Sequence, residues 1–102
     1  MIEYNGKQYV LRYSQRRIEM IESATKSPIM QILIQRGSMF SLAELKSYYS
    51  YGLMEQGAET YVPLSEAAKI AEAIVTNNGY ASVLAEVTEA LNRDCPFFFQ
   101  AP

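Results

Sequence analysis

The chain has 102 residues, 49% of them hydrophobic and 20% charged, which fits one folded domain with a single core and excludes a disordered segment. Nine basic residues against eleven acidic ones leave a net charge of -2, so there is no excess positive charge to hold a phosphate backbone, and nucleic-acid binding is not expected. One cysteine excludes an intramolecular disulfide, and the lack of any histidine removes the commonest general base, the usual zinc ligand besides cysteine, and every Ser-His or Cys-His dyad.

Residues 2 to 13 read Ile-Glu-Tyr-Asn-Gly-Lys-Gln-Tyr-Val-Leu-Arg-Tyr, and Asn5-Gly6 between two β-prone runs predicts a hairpin with a two-residue turn. Tyr4 then opposes Lys7, Glu3 opposes Gln8 and Ile2 opposes Tyr9, which places Ile2, Tyr4, Tyr9, Leu11 and Tyr13 on the inward face. A two-stranded hairpin is marginal alone, so it must lie on helices or pair with a strand of another chain. Ser14 predicts an N-cap for a helix over 15–24 with Ile18 and Ile21 inward. Ser27-Pro28 predicts a restart and Gly37 a stop; between them Ile29, Met30, Ile32, Leu33 and Ile34 point in nearly every direction, as in a helix buried on several sides or a strand, and helix is the reading taken.

The organising stretch is Ser41 to Gly57, predicted as one helix that opens on a Ser-x-x-Glu capping box between Ser41 and Glu44 and closes at Gly57. Leu42, Leu45, Tyr49, Gly52 and Leu53 form its core stripe. Tyr51 and Met54 project from the other side with Ala43 and Ser47, either onto another layer of the same fold or onto a partner. Residues 58–62 predict a loop with a short extended piece before Pro63. Ser65 is then expected to cap a helix burying Ala67, Ile70, Ala71, Ile74 and Val75 up to Asn77-Asn78-Gly79. A last helix, Tyr80 to Asn92, turns Tyr80, Val83, Leu84, Val87 and Leu91 inward and packs as a hairpin on the one before it. The fold class expected is α+β: an N-terminal β-hairpin packed on a bundle of four to five short α-helices, with one globular domain over 1–94 and an aromatic tail over 95–102.

No chemistry-bearing constellation emerges from these elements. Glu44 with Glu55, and Glu86 with Glu89, read as solvated helix carboxylates, and the glycines stand singly at turns and caps, so neither a catalytic pair nor a phosphate-binding loop is assigned. Cys95 reads as a structural thiol. No catalytic, metal or cofactor residue is expected, nor a membrane segment or small-molecule substrate. The aromatic load is different: eight tyrosines and four phenylalanines suit an interaction protein, and Phe97-Phe98-Phe99 cannot all be buried by a short tail. The candidate partner-binding residues are Tyr48, Tyr51, Met54, Phe97, Phe98 and Phe99.

The opening Asn-Gly-Lys hairpin, the capped Ser-Leu-Ala-Glu-Leu helix ending near Tyr-Gly-Leu, and Leu-Ser-Glu-Ala-Ala-Lys-Ile-Ala-Glu-Ala-Ile before a last helix resemble, over nearly the whole chain, the tail assembly chaperones of long-tailed bacteriophages and related gene transfer agents. The resemblance implies a non-enzymatic protein of the host cytoplasm that coats the tape measure protein before the tail tube polymerises. A repeated coat needs contacts between neighbouring copies, and the open hairpin edge and the Tyr51 and Met54 face are the surfaces expected to supply them. The competing reading is a small phage or plasmid helical regulator, DNA-binding or antitoxin-like, against which the near-neutral charge and the lack of a basic recognition helix count.

Overall fold

The computed structural model describes residues 2–99. Asn5 and Gly6 both take positive φ (50° and 79°), as a two-residue hairpin turn of matching twist requires, and they join β1 (Ile2–Tyr4) to β2 (Lys7–Leu11). The register is the expected one: Ile2 opposite Tyr9, Glu3 opposite Gln8, Tyr4 opposite Lys7. The partner that the hairpin needs comes from its own chain. Leu53–Glu55 forms β3, antiparallel to β2 with Tyr9 opposite Glu55, Val10 opposite Met54 and Leu11 opposite Leu53, in the order β1-β2-β3.

This third strand corrects the predicted central helix, which ends at Gly52 instead of Gly57. The Arg12 amide donates to the Gly52 carbonyl (2.8 Å), Leu53 turns extended with its side chain fully buried, and the free edge of β2 supplies the ladder bonds that a further helical turn would have supplied internally. Gly57 (φ 87°) belongs to the turn after β3. The extended piece expected at 58–62 is a bridge from Tyr61 to Met54, continued by the Val62 amide on the Leu53 carbonyl (3.0 Å).

Helix α1 (Gln15–Thr25) starts where the Ser14 hydroxyl accepts from the Arg17 amide (3.1 Å). The next segment, Gln31–Gln35, is π-helical, its last turn closed by the Arg36 amide on the Gln31 carbonyl (3.3 Å). Ser27 does not cap it; the Glu22 carboxylate accepts from the Ile29 amide (2.8 Å). Ile29 and Ile32 are fully buried while Ile34 is 70% exposed, so this segment is covered on one side only. Helix α2 (Leu42–Gly52) carries the predicted capping box: the Glu44 amide donates to the Ser41 hydroxyl (3.1 Å) and the Ser41 amide to the Glu44 carboxylate (2.8 Å). Helix α3 (Leu64–Asn78) begins one residue before the expected cap Ser65, with Pro63 in the cap position, and Gly79 alone joins it to α4 (Tyr80–Asp94), a shorter connection than expected. A 3-10 turn, Pro96–Phe98, follows.

The molecule is therefore α+β: an N-terminal three-stranded antiparallel sheet packed with five helices, four α and one π. Helix α2 lies against α1, α3, α4 and β2, and its Leu45, Tyr48 and Tyr49 are fully buried. Ile70, Ile74, Val83, Val87 and Leu91 complete the core as expected; Leu84 is only half-buried, and Leu42, assigned to the core stripe, is half exposed because it opens the helix.

Candidate partner-binding surface

The six candidate side chains divide into a core residue and two surface groups. Tyr48 is the core residue, and this corrects its assignment to a partner-binding face: none of it is exposed, its ring meets Phe40 edge-on (centroids 5.1 Å apart) and tilts against Tyr13 (6.4 Å). Its hydroxyl has no hydrogen-bond partner, and burial first, then the charges of Glu22 and Glu44, hold it protonated well above the usual tyrosine range. On its Tyr48 side helix α2 packs against other layers of its own fold, while Ala43, Ser47 and Tyr51 on its second face stay exposed or half-buried.

Tyr51 and Met54 stay half-buried and are drawn together by two residues absent from the sequence-based set. The Arg17 side chain donates through Nε to the Tyr51 carbonyl (2.6 Å) and lays its guanidinium 5.4 Å from the Tyr51 ring centroid and 3.9 Å from that of Tyr61. Tyr61 in turn bridges to Met54 on β3. A cation held between two π faces orders this patch. Its parts come from α1, α2, β3 and the loop after it, which explains why no local pattern marked it.

The aromatic tail lies on the other side of a single peptide group. The Arg12 carbonyl accepts from the Tyr61 hydroxyl (3.1 Å), while the Tyr13 amide, pointing the opposite way from the same trans peptide, donates to the Asp94 carboxylate (2.9 Å). Burial alone would raise the Asp94 pKa, but the Arg93 hydrogen bond and the Tyr13 amide outweigh it and hold the carboxyl below its ordinary value. Arg93 also donates to the Leu11 carbonyl. Directly after this anchor Cys95 is fully buried, its thiol pushed up by burial, as expected of a structural cysteine. Phe98 packs against the core with its ring 4.6 Å from that of Phe97, whereas Phe97 and Phe99 are each 43% exposed. The remainder of the predicted tail, residues 100–102, lies outside the described residues.

A third apolar surface was not read from the sequence. Gly37 and Met39, after the π segment, and Tyr80, Ala81, Leu84 and Ala85, from the first turns of α4, line an open groove of about 430 Å³ with no charged residue in its wall. Met39 is 60% exposed at its rim, and the Tyr80 hydroxyl is fixed on the Phe40 carbonyl. The two halves are some forty residues apart in sequence, beyond the reach of any periodicity argument.

Among the described residues no group of three acidic, cysteine or histidine side chains is placed to hold a metal ion, and no helix is long and apolar enough to cross a membrane. No family model, no curated protein and no solved structure matches this chain.

Proposed function

We propose that the chain is a non-enzymatic assembly chaperone of the phage tail type, which binds the long helical tape measure protein and keeps its apolar surface from aggregating until the tail tube replaces the chaperone. The observation that carries this reading is the pair of exposed rings, Phe97 and Phe99, presented on a 3-10 turn whose third ring, Phe98, is docked on the core. Rings held this way lose little conformational freedom when they meet an apolar client, and a few such contacts bind weakly enough to be displaced. Tyr51 and Met54 supply the second contact, Met54 adapting by rotamer changes. Tyr48 has no part in it.

The test is co-expression with a tape measure protein of a long-tailed phage. The parent should keep that client soluble and co-purify with it, and Phe97→Ser/Phe99→Ser, which leaves the core-docked Phe98 in place, should lose it while melting like the parent. A client equally soluble without the chain would sink the chaperone reading. Steep, salt-sensitive binding to DNA would establish a regulator in its place.

A further inference from the structure

The chain contains the dipeptide Asn-Gly twice, as Asn5-Gly6 and as Asn78-Gly79, and the structure sets the two apart. Such a pair is open to attack by the glycine amide nitrogen on the asparagine side-chain carbonyl, because glycine has no side chain to hinder the approach. Both asparagines and both glycines are exposed, so water reaches the two pairs alike. The glycine amides differ. The Gly79 amide donates to the Val75 carbonyl (2.9 Å) and the Gly79 carbonyl accepts from the Val83 amide (3.2 Å), which clamps that pair between the last turn of α3 and the first turn of α4. Among the described residues no backbone carbonyl accepts from the Gly6 amide.

We propose that Asn5 is a site of spontaneous self-modification. The Gly6 amide nitrogen, on losing its proton to hydroxide, attacks Asn5 Cγ; an N–C bond closes a succinimide ring, and the Cγ–Nδ2 bond breaks to release ammonia, protonated by solvent. Water then opens the ring. Addition at Cγ restores the ordinary peptide and leaves aspartate, whereas addition at the main-chain carbonyl carbon leaves isoaspartate, with the chain running through the former side chain. The reaction consumes only water.

Attack requires Asn5 to leave its turn conformation (φ 50°), and the fold makes that easy at this end. Strand β1 has three residues, lies at the edge of the sheet and pairs with β2 alone, so the turn opens while the helices stay packed. Opening at Asn78 would unwind the joint beside the buried Ile74 and Val83. Lys7 and Lys69 line the same surface cleft as Asn5, with Glu66 the one acidic group there, so the new carboxylate forms in the company of two ammonium groups. The two products then diverge. Asp-Gly suits a two-residue hairpin turn as Asn-Gly does, so aspartate keeps Tyr4 opposite Lys7. Isoaspartate adds a methylene to the main chain inside a turn whose length sets the register, which releases β1 and uncovers Ile2 and Tyr9.

The experiment is incubation of the full chain at mildly alkaline pH, folded and in urea, with peptide mapping that separates asparagine, aspartate and isoaspartate at both pairs. In the folded protein Asn5 should be lost at least about tenfold faster than Asn78, and in urea the two rates should converge. The Asn5→Asp variant should melt like the parent. The isolated isoaspartate form should melt below both and lose amide protection in the β1–β2 ladder while α2 stays protected. Equal losses at the two pairs in the folded protein, no loss at Asn5, rates that stay apart in urea, or an isoaspartate form with its ladder intact would each overturn the proposal.

Discussion

The Tyr13 ring rests on the bare Cα of Gly52: a Cβ added there would lie 2.6 Å from the ring's Cζ and 2.9 Å from its hydroxyl oxygen. The ring cannot retreat cheaply, because that hydroxyl donates to the Tyr48 carbonyl (2.6 Å) and the Tyr13 amide is bound to Asp94. Gly52→Ala should therefore destabilise the protein by about 1–3 kcal/mol as an overpacked site. The urea midpoint reads this directly, and a midpoint equal to the parent's would show that the junction of β2 and α2 is looser than its contacts imply.

Leu45 is fully buried at the centre of α2, and Leu45→Ala should cost roughly 2–5 kcal/mol. Ser41→Ala removes one half of the capping box and should cost about 1 kcal/mol. Chemical denaturation of both variants orders them; equal losses would contradict the placement of Leu45 in the core.

The Glu44 carboxylate accepts both guanidinium nitrogens of Arg36 (2.9 and 2.7 Å) as well as the Ser41 amide. Arg36 is the main cause that lowers its pKa from 4.5 to about 2, against the opposing effect of burial, with Ser41 adding to the lowering. A carboxyl that is a stronger acid when folded than when unfolded stabilises the fold fully above pH 4.5, and that contribution is lost as pH falls towards 2. Glu44→Gln should be less stable than the parent at neutral pH and should flatten the acid limb of the stability curve in that window. Parallel acid limbs in the two proteins would remove Glu44 from the account.

Tyr48 and Tyr49 each bury a hydroxyl without a partner. Tyr48→Phe and Tyr49→Phe delete that uncompensated polar group while keeping the ring, so each should melt at or above the parent temperature. Tyr48→Ala, which empties the space against Phe40 and Tyr13, should cost about 3–5 kcal/mol by analogy with other large aromatic truncations. A marked loss in Tyr48→Phe would mean that its hydroxyl is satisfied in solution.

The features legible in the sequence were those whose physics is local. Asn5-Gly6 sets a hairpin register because only a few turn geometries fit two residues, and Ser41 with Glu44 marks a helix start because both partners lie within one turn. The end of that helix was not legible: Gly57 has the chemistry of a stop, yet the competing interaction is the edge of β2, more than forty residues away in sequence. Tyr48 was misplaced for a related reason, since a helix packed by α1, α3, α4 and β2 has little free face and period alone cannot count its neighbours. Of the candidate surface, the tail rings were readable because they sit outside any periodic element. The Arg17 and Tyr61 contacts, and the groove beside Met39, exist only once distant segments meet.

The Arg12–Tyr13 peptide, held by Tyr61 on one side and Asp94 on the other, has a consequence for hydrogen exchange. The Tyr13 amide proton is retained by a side chain of α4 and by no strand partner, so it can exchange only when the end of that helix lets go. Its exchange rate is thus a clock for detachment of α4 and the aromatic tail from the sheet, separable from the ladder amides of β2. Asp94→Asn, which weakens that one acceptor, should speed the clock at Tyr13 while leaving protection in the middle of β2 unchanged.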